Sequence, residues 1–430
     1  MKKVITYGTF DLFHQGHYNI IKRAKELGDY LIVGVTSKSY DIDRGKLSVQ
    51  DDIATRIENV RKTGLADEII IEEYLGQKID DIKNYNVDVL VVGSDWKGKF
   101  DHLKQYCEVV YLERTKNISS TQIREEMSSI YKVGIVTDNL DDNDVVKETK
   151  YVSGIHVESV FAEEKEIADD FCKKYELNSS FNDLNQFADS IGIAYVKTDI
   201  NKRYDYIKSL IEKGKHVVCE FPFTLDLNKA DELRELAKKN NVLLVENIVY
   251  IYLRAFTQIL WMAQGNLIGN LLGVNISISD DLFEKETSYD KMSILSICAA
   301  IKILGIDFKK ITCNKSDNKD ENIIYSNINI GYDNKVANIN IGLNVKLPGK
   351  LDIIGDKGTI TILDDWWNTG YFKVKYYNAK HIERHSFNFE GNGFRYLLQE
   401  MLIILKDKRT ECNRLTHKDS NAIVEILKQI

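Results

Sequence analysis

Proline is almost absent from this chain of 430 residues, which contains only Pro222 and Pro348. Proline-rich linkers therefore mark no domain boundary. The six cysteines are scattered without a close pair, so the sequence shows neither a zinc pattern nor a redox dithiol. We expect free thiols, mostly buried, and no residues that bind a metal ion.

The chain also lacks a dense block of basic residues and a long apolar run. Its formal net charge is -7, which argues against nucleic acid or an anionic membrane as the main partner. The most apolar stretch, residues 259–274, is interrupted by Gln264, Asn266 and Asn270, so it is not expected to span a membrane. The apolar run at the N-terminus is too short for a signal peptide. We therefore expect a cytoplasmic location.

What the chain does contain is an alternation of strand and helix patterns, which is typical of α/β folds. We predict a Rossmann-like domain over residues 1–129 and a second Rossmann-like domain over 130–250. An α+β domain with a large antiparallel sheet is predicted over 251–430, because short strands with turn signals dominate there. Helices are expected near residues 251–264, 290–304, 391–407 and 417–429.

The segment GTFDLFHQGH, residues 8–17, follows the first predicted strand and opens the first predicted helix. Such a turn exposes backbone N–H groups and the positive end of the helix dipole. Glycine lets the backbone approach an anion closely, and His14 and His17, three residues apart, can reach the same phosphate oxygens. A single histidine here would more often be a helix cap, but the pair with Gly16 favours a phosphate-handling site.

Three separated motifs in residues 1–127 resemble those of the cytidylyltransferases in the HxGH nucleotidyltransferase superfamily. Besides GTFDLFHQGH, these are VVGSDWKGKFD and VVYLERTKNISSTQIREE, which are similar to the motifs of glycerol-3-phosphate cytidylyltransferases. The resemblance implies transfer of CMP from CTP, with Mg²⁺, to a polyol phosphate such as glycerol 3-phosphate. Cell-surface polymers such as teichoic acids would use the product.

The resemblance also implies roles for individual residues. The predicted catalytic residues are His14, His17, Lys46 and Arg114. The predicted nucleotide-binding residues are Gly8, Thr9, Phe10, Gly16, Asp95, Ser119, Ser120 and Thr121. The predicted substrate-binding residues are Asp11, Lys46, Arg56 and Trp96. Taken singly, Lys46 is typical of a surface lysine, Trp96 of a core residue, and the Ser119–Thr121 segment of a helix cap.

Two positions depart from the family pattern. Asn117 replaces a signature glycine, and Gly64 stands where relatives carry an arginine. The change at Gly64 removes a cationic group that could contact the phosphate of the acceptor. Glycerol 3-phosphate is therefore the leading acceptor, and the class of polyol phosphates stays open.

Residues 131–430 resemble the glucose-fructose oxidoreductase and inositol dehydrogenase family, which transfers hydride with NAD(P). The positions that carry this chemistry differ here. Of the dinucleotide glycines only Gly134 remains, and the turn is rich in acids: Asp138, Asp141, Asp142 and Asp144. Phe221 replaces the family's catalytic lysine, and Ile294 and Cys298 align with its acid–base pair.

We therefore predict that the second half keeps the fold but has lost NAD(P)-dependent chemistry. The resemblance implies homodimerisation through the C-terminal sheet. Two alternatives stay open. One is a bifunctional enzyme that first reduces a keto-sugar phosphate with NAD(P)H, and the other is a scaffold in which both halves are inactive.

Overall fold

The computed structural model describes residues 1–44, 46, 49–113, 131–140, 143–283, 287–317, 323–363, 365–379, 381–389 and 391–430. Its contacts divide the chain into two compact units. The N-terminal unit comprises Met1–Ile130 and Thr149–Ile155, and the C-terminal unit comprises Tyr131–Glu148 and His156–Ile430. Each unit is described by itself below.

The N-terminal unit is built on a five-stranded sheet with the order β3-β2-β1-β4-β5, in which every neighbouring pair is parallel. Its strands are β1 (Lys3–Gly8), β2 (Tyr30–Thr36), β3 (Glu68–Glu72), β4 (Val89–Gly93) and β5 (Glu108–Leu112). Its described helices are α1 (Gln15–Lys25), α2 (Lys38–Asp43), α3 (Ile53–Lys62) and α4 (Gln77–Tyr85). The predicted Rossmann-like alternation is confirmed.

The sheet is apolar on both faces, as expected for parallel strands covered by helices. One core cluster joins Val4, Val33 and Val91 to Ile21 of α1 and Val60 of α3. A second cluster on the other face includes Ile82 of α4. The chain reverses its direction of winding between β1 and β4, so the carboxyl ends of these two strands border the crevice where such sheets bind ligands.

The C-terminal unit begins with a six-stranded sheet in the order β11-β10-β9-β6-β7-β8. Its strands are β6 (Tyr131–Thr137), β7 (Ile155–Phe161), β8 (Ser179–Phe181), β9 (Ile193–Lys197), β10 (His216–Glu220) and β11 (Leu244–Asn247). Its helices are α5 (Asn143–Thr149), α6 (Lys165–Tyr175), α7 (Leu184–Ser190), α8 (Ile200–Glu212) and α9 (Leu227–Lys239). This is the second Rossmann-like arrangement that the sequence predicts.

An eight-stranded sheet follows, in the order β13-β14-β15-β12-β16-β17-β18-β19. Its strands are β12 (Leu271–Ser279), β13 (Lys310–Asp317), β14 (Ile323–Gly331), β15 (Val336–Gly342), β16 (Leu351–Gly355), β17 (Gly358–Ile362), β18 (Tyr371–Tyr376) and β19 (Ile382–Ser386). The accompanying helices are α10 (Arg254–Gln264), α11 (Tyr289–Leu304), α12 (Phe394–Lys406) and α13 (His417–Leu427). All four lie where the sequence predicts them.

The prediction of a large, mainly antiparallel sheet is confirmed, and the structure adds one parallel pair of strands to it. β12 pairs with β15 in parallel, from Gly273 with Val336 to Ser279 with Gly342, whereas the other neighbouring pairs are antiparallel. The chain leaves β12 through α11, and a helical crossover is what a parallel pairing requires. Among the described residues, no helix combines the length and the apolar character needed to cross a bilayer.

Candidate active site

The turn after β1 has an unusual backbone. Phe10 and Leu12 have positive φ angles of 53° and 46°, a conformation that costs a residue with a side chain on the order of 1 kcal/mol. It folds the Phe10 ring back over Gly8, where a Cβ atom would lie only 2.8 Å from that ring. Glycine at position 8 is therefore a steric requirement of this turn. The Phe10 ring is buried in the core beneath α1.

His14 and His17 lie together at the start of α1. Their rings stack with centroids 3.9 Å apart, and the Phe10 ring meets the edge of His17 at 5.5 Å. His14 is the N-cap of α1, and its Nδ1 accepts a hydrogen bond from Gly16 N at 3.0 Å. In the neutral ring this bond leaves the hydrogen on Nε2. The two predicted histidines therefore converge at an electropositive helix N-terminus.

Lys46 also reaches this turn. Its Nζ donates to Thr9 Oγ1 at 2.8 Å. Arg56 is fully buried, and its Nη1 donates to Thr9 O at 2.9 Å and to Asp41 Oδ2 at 3.1 Å. The sequence predicts Arg56 as a substrate contact, whereas its side chain has no solvent exposure and holds Thr9 from below.

Asp11 anchors the loop that precedes α3. Its Oδ1 accepts hydrogen bonds from Gln50 N and Asp51 N, both at 2.9 Å, and Leu12 N in turn donates to Asp51 Oδ2 at 2.9 Å. The side chain is buried. Asp11 therefore joins the turn after β1 to the segment that carries Lys46.

Asp95 and Trp96 follow β4, which neighbours β1, so they share the carboxyl edge of the sheet with the two histidines. Asp95 is exposed and Trp96 is half-buried. Lys99 Nζ lies 4.5 Å from the Trp96 ring centroid, and the Phe100 ring lies 6.1 Å from it. Among the described residues, no group of three His, Cys, Asp or Glu side chains could hold a metal ion.

Lys78, near the start of α4, is a candidate that the sequence analysis missed. Its Nζ pairs with Glu72 at the end of β3, lies 4.4 Å from the Tyr7 ring centroid and 5.6 Å from that of Phe100. Burial lowers the pKa of Lys78, and the neighbouring Glu72 opposes that shift. A lysine in a predicted amphipathic helix is expected to face the solvent. Only the tertiary contact with Tyr7 on β1 identifies Lys78 as a candidate site residue.

Four predicted residues, namely Arg114, Ser119, Ser120 and Thr121, lie outside the described residues, as does Asn117. Gly64 is described, with a φ of 67° and no atom within 4 Å of the place of a Cβ. A left-handed backbone favours glycine even where space is open. The backbone at position 64 therefore favours the glycine that is present.

Comparison with known proteins identifies the family of the N-terminal unit. A family model described as cytidylyltransferase-like matches residues 5–126. The glycerol-3-phosphate cytidylyltransferase of Bacillus spizizenii is 51% identical over 130 residues, which are 30% of this chain and 100% of that protein. The chain belongs to the glycerol-3-phosphate cytidylyltransferase family. It is accordingly a nucleotidyltransferase, and the recognition made from its three motifs is confirmed.

Other relatives of this cytidylyltransferase are similar over the same region. The glycerol-3-phosphate cytidylyltransferase of Staphylococcus aureus is 46% identical over 129 residues, covering 30% of this chain and 96% of that protein. A probable ethanolamine-phosphate cytidylyltransferase of Encephalitozoon cuniculi is 34% identical over 130 residues, covering 29% of this chain and 40% of that protein.

The C-terminal unit of the cytidylyltransferase matches different proteins. A model described as an oxidoreductase family with an NAD-binding Rossmann fold matches residues 142–248. The solved 3-ketoreductase KijD10 of Actinomadura kijaniata, in complex with TDP-benzene and NADP, has a TM-score of 0.59 at 14% identity and covers 69% of this chain and 96% of that chain. This likeness establishes the fold of the unit.

The turn after β6 does not fit a dinucleotide. Gly134 lies inside β6, where a Cβ atom would meet the Phe187 ring at 2.5 Å, so packing explains it. The turn itself begins Thr137, Asp138, Asn139, without the glycines that pyrophosphate binding needs. Asp138 is exposed there, and its Oδ2 accepts a hydrogen bond from Asp199 N at 2.8 Å.

The end of β7 shows the same incompatibility. In dinucleotide-binding folds an acidic residue beyond the second strand receives the ribose hydroxyls. Glu163 stands just past β7, but its carboxylate is paired with Lys202 and accepts a hydrogen bond from the Tyr206 hydroxyl at 2.7 Å. Burial raises the pKa of Tyr206, and the hydrogen bond to Glu163 raises it further. Lys202 and Tyr206 would thus compete with a ribose for this carboxylate.

Proposed function

We propose that this cytidylyltransferase transfers CMP from CTP to glycerol 3-phosphate, yielding CDP-glycerol and pyrophosphate. The observation that carries the proposal is the 51% identity to a glycerol-3-phosphate cytidylyltransferase over that protein's full length, together with the stacked His14 and His17 at the N-terminus of α1. The lower identity, 34%, to an ethanolamine-phosphate enzyme supports a polyol phosphate over an amino-alcohol phosphate.

The reaction requires positioning more than covalent chemistry. An oxygen of the acceptor phosphate attacks the α-phosphorus of CTP in line, and the bond from that phosphorus to the bridging oxygen of the β-phosphate breaks. His14, His17 and Lys46 stabilise the charge on the phosphates, and Arg114 with Ser119, Ser120 and Thr121 would complete the cradle. Gly8, Thr9, Phe10, Gly16 and Asp95 would form the nucleotide pocket.

Mg²⁺ would enter with CTP. This ion usually keeps several waters and is bound by phosphates with one or two carboxylates. Among the described residues, no group of three His, Cys, Asp or Glu side chains could hold a metal ion, and Asp11 directs Oδ1 at backbone N–H groups. The triphosphate would therefore supply most of the ligands.

The acceptor would lie between Trp96 and the segment of Lys46. Lys78 is well placed to contact it, because its side chain keeps 13% exposure although Glu72 and the Tyr7 ring lie against its ammonium group. Asp11, which joins the turn to that segment, would shape this pocket. Arg56 would act through Thr9, since its own side chain is inaccessible.

We assign no hydride transfer to the C-terminal unit, because the turn after β6 and the occupied Glu163 do not fit a dinucleotide. A supporting role remains, such as homodimerisation through the eight-stranded sheet. The NADP in the KijD10 structure favours a second candidate: a bifunctional enzyme that reduces a keto-sugar phosphate before activation with CTP. The CDP-polyol would serve cell-surface polymer synthesis from the cytoplasm.

The test is a panel of phosphates, including glycerol 3-phosphate, ribitol 5-phosphate and phosphoethanolamine, each assayed with CTP or ATP and Mg²⁺ for pyrophosphate release. We expect turnover with CTP and glycerol 3-phosphate and its loss in His17→Ala. Preference for another acceptor would replace glycerol 3-phosphate as the proposed substrate. Equal turnover by wild type and His17→Ala would remove the assignment.

A further inference from the structure

Asp41 lies at the centre of a buried network beneath the candidate active site. It belongs to the short helix α2, and its side chain has no solvent exposure. Its Oδ1 accepts hydrogen bonds from Thr36 Oγ1 at 2.7 Å, Arg44 Nη2 at 2.9 Å and Thr9 Oγ1 at 3.2 Å. Its Oδ2 accepts from Arg56 Nη1 at 3.1 Å.

The chemistry of these partners requires an acid at position 41. Arginine can only donate, and both threonine hydroxyls direct their hydrogen at the same carboxylate. An amide would replace one acceptor oxygen with a donor and would face other donors. Because Arg44 and Arg56 both bind Asp41, the carboxylate also offsets the charge of two neighbouring guanidinium groups.

The network continues from Asp41 to Lys46 by two routes. The main-chain oxygen of Asp41 accepts from Lys46 N at 2.8 Å. The second route runs through Thr9, whose hydroxyl accepts from Lys46 Nζ at 2.8 Å and donates to Asp41. The direction of this chain is fixed, because an ammonium group has no lone pair to offer. Asp41 thus orients the hydroxyl that holds the ammonium group of Lys46.

We propose that Asp41 is a positioning residue for cytidylyl transfer, which holds Thr9 and Lys46 ready for the phosphates of CTP before the nucleotide binds. A preorganised cation stabilises developing charge without first having to move into place. The inference rests on the proposed function, since it assigns Lys46 to the phosphates. Nothing in the pattern of the sequence marks Asp41, which reads as one more polar residue between Ser39 and Asp43.

A double-mutant cycle tests the coupling. Asp41→Asn should lower kcat/KM for CTP by about ten- to hundredfold, the effect of a small misplacement of a catalytic group. In a Lys46→Met background, the same change should cost less than threefold, because the group that Asp41 positions is already gone. Equal fold losses in both backgrounds would show that Asp41 acts only on the fold, and would overturn the inference.

Two further variants control for misfolding and for unspecific coupling. Asp41→Glu keeps the negative charge beside Arg56 but displaces the carboxylate, so it should fold and still lose most of the kcat/KM for CTP while the KM for the acceptor changes little. Asp67→Asn, which removes the partner of Lys25 at 2.5 Å in the same unit, should show additive losses with Lys46→Met. Full activity of Asp41→Glu would also contradict the inference.

The failure of the proposed function has a different signature. In that case wild type itself would release no pyrophosphate with any acceptor of the panel. The cycle can then be repeated on the binding of CTP by calorimetry, where coupling between Asp41 and Lys46 would still support the network and additivity would refute it.

Discussion

The chain contains the same architectural motif twice, a parallel strand followed by a turn and a helix, and the two turns differ in charge and in backbone. After β1, glycines at positions 8 and 16 and two stacked histidines leave an electropositive turn. After β6, the turn carries Asp138 and no glycine, and the following helix α5 has Asp144 in its first turn. A turn at the start of a helix can bind an anion in both places, and we propose that the side chains favour an anion after β1 and disfavour one after β6.

The helices after the two turns are also held differently. In the N-terminal unit, α1 is capped by His14, a residue assigned to the chemistry. In the C-terminal unit, α5 is tied by Glu148, whose two oxygens accept from Arg395 of α12 at 2.7 Å and 3.0 Å. A Cβ atom at Gly391 would lie 2.2 Å from Glu148. The second helix thus serves the packing of its unit.

The largest expected effect tests the first turn. His17→Ala should lower cytidylyl transfer about a hundred- to a thousandfold, the effect of removing one preorganised donor, equivalent to ~3 kcal/mol. Steady-state pyrophosphate release with CTP and glycerol 3-phosphate measures this. His102→Ala, a histidine outside the turn in the same unit, is the matched control and should retain the wild-type rate. A loss of rate below threefold for His17→Ala would contradict the proposal that the turn after β1, unlike the turn after β6, binds a phosphate.

The next effect concerns stability. Arg395→Met leaves the buried carboxylate of Glu148 without its charged partner, and breaking such a pair costs about 3–5 kcal/mol. We expect urea denaturation to show this loss, while the initial rate of cytidylyl transfer in buffer stays near that of wild type. Arg409→Met, which removes an exposed pair with Asp407, should cost less than about 1 kcal/mol. A large loss of transferase activity in a folded Arg395→Met protein would mean that α5 contributes to the reaction.

The third prediction concerns the binding of NADH and NADPH to the C-terminal unit, which we expect to be weak. Titration followed by nicotinamide fluorescence should show no saturation to ~1 mM, a weak-binding limit near 4 kcal/mol. The double variant Lys202→Ala, Tyr206→Phe removes both partners of Glu163. It therefore separates the effect of those contacts from the effect of the acidic turn after β6. Binding that appears only in this variant would identify the occupied carboxylate as the obstacle. Saturable binding to wild type would contradict the proposed contrast and favour the bifunctional enzyme.

Much of this molecule could be predicted from its sequence, because strand–turn–helix patterns and the HxGH segment are local. The strands of both Rossmann-like sheets, apart from the three-residue β8, and the helices α10 to α13 follow from periodicity. The parallel pairing of β12 with β15 could not be predicted, since β13 and β14 lie between them in the sequence and the register depends on long-range contacts. Arg56 illustrates the same limit, because a motif gives its position but not its complete burial.

The residues that the sequence analysis missed, Asp41 and Lys78, share one property: their significance lies in tertiary contacts. Each sits in a polar segment of a helix, where an acid or a lysine is ordinary. Only the contact of Asp41 with Thr9 and that of Lys78 with Tyr7 connect them to the candidate site. A buried ionisable group at the carboxyl edge of a sheet was the physical signal, and burial is not visible in a short segment of sequence.

The last and smallest predicted effect on catalysis concerns Lys78 and the KM for the acceptor. Lys78→Met should raise the KM for glycerol 3-phosphate about tenfold, the loss of one charged hydrogen bond, with little change in the KM for CTP. The pKa of Lys78 is lowered by burial, although Glu72 and Asp81 favour the charged form and Arg44 disfavours it. The ammonium group therefore loses its proton at a lower pH than an ordinary lysine, and the acceptor KM of wild type should rise as the pH rises into the alkaline range. Lys78→Arg keeps its charge there, so its acceptor KM should stay level with pH, and a rise identical to that of wild type would exclude Lys78 as the titrating group.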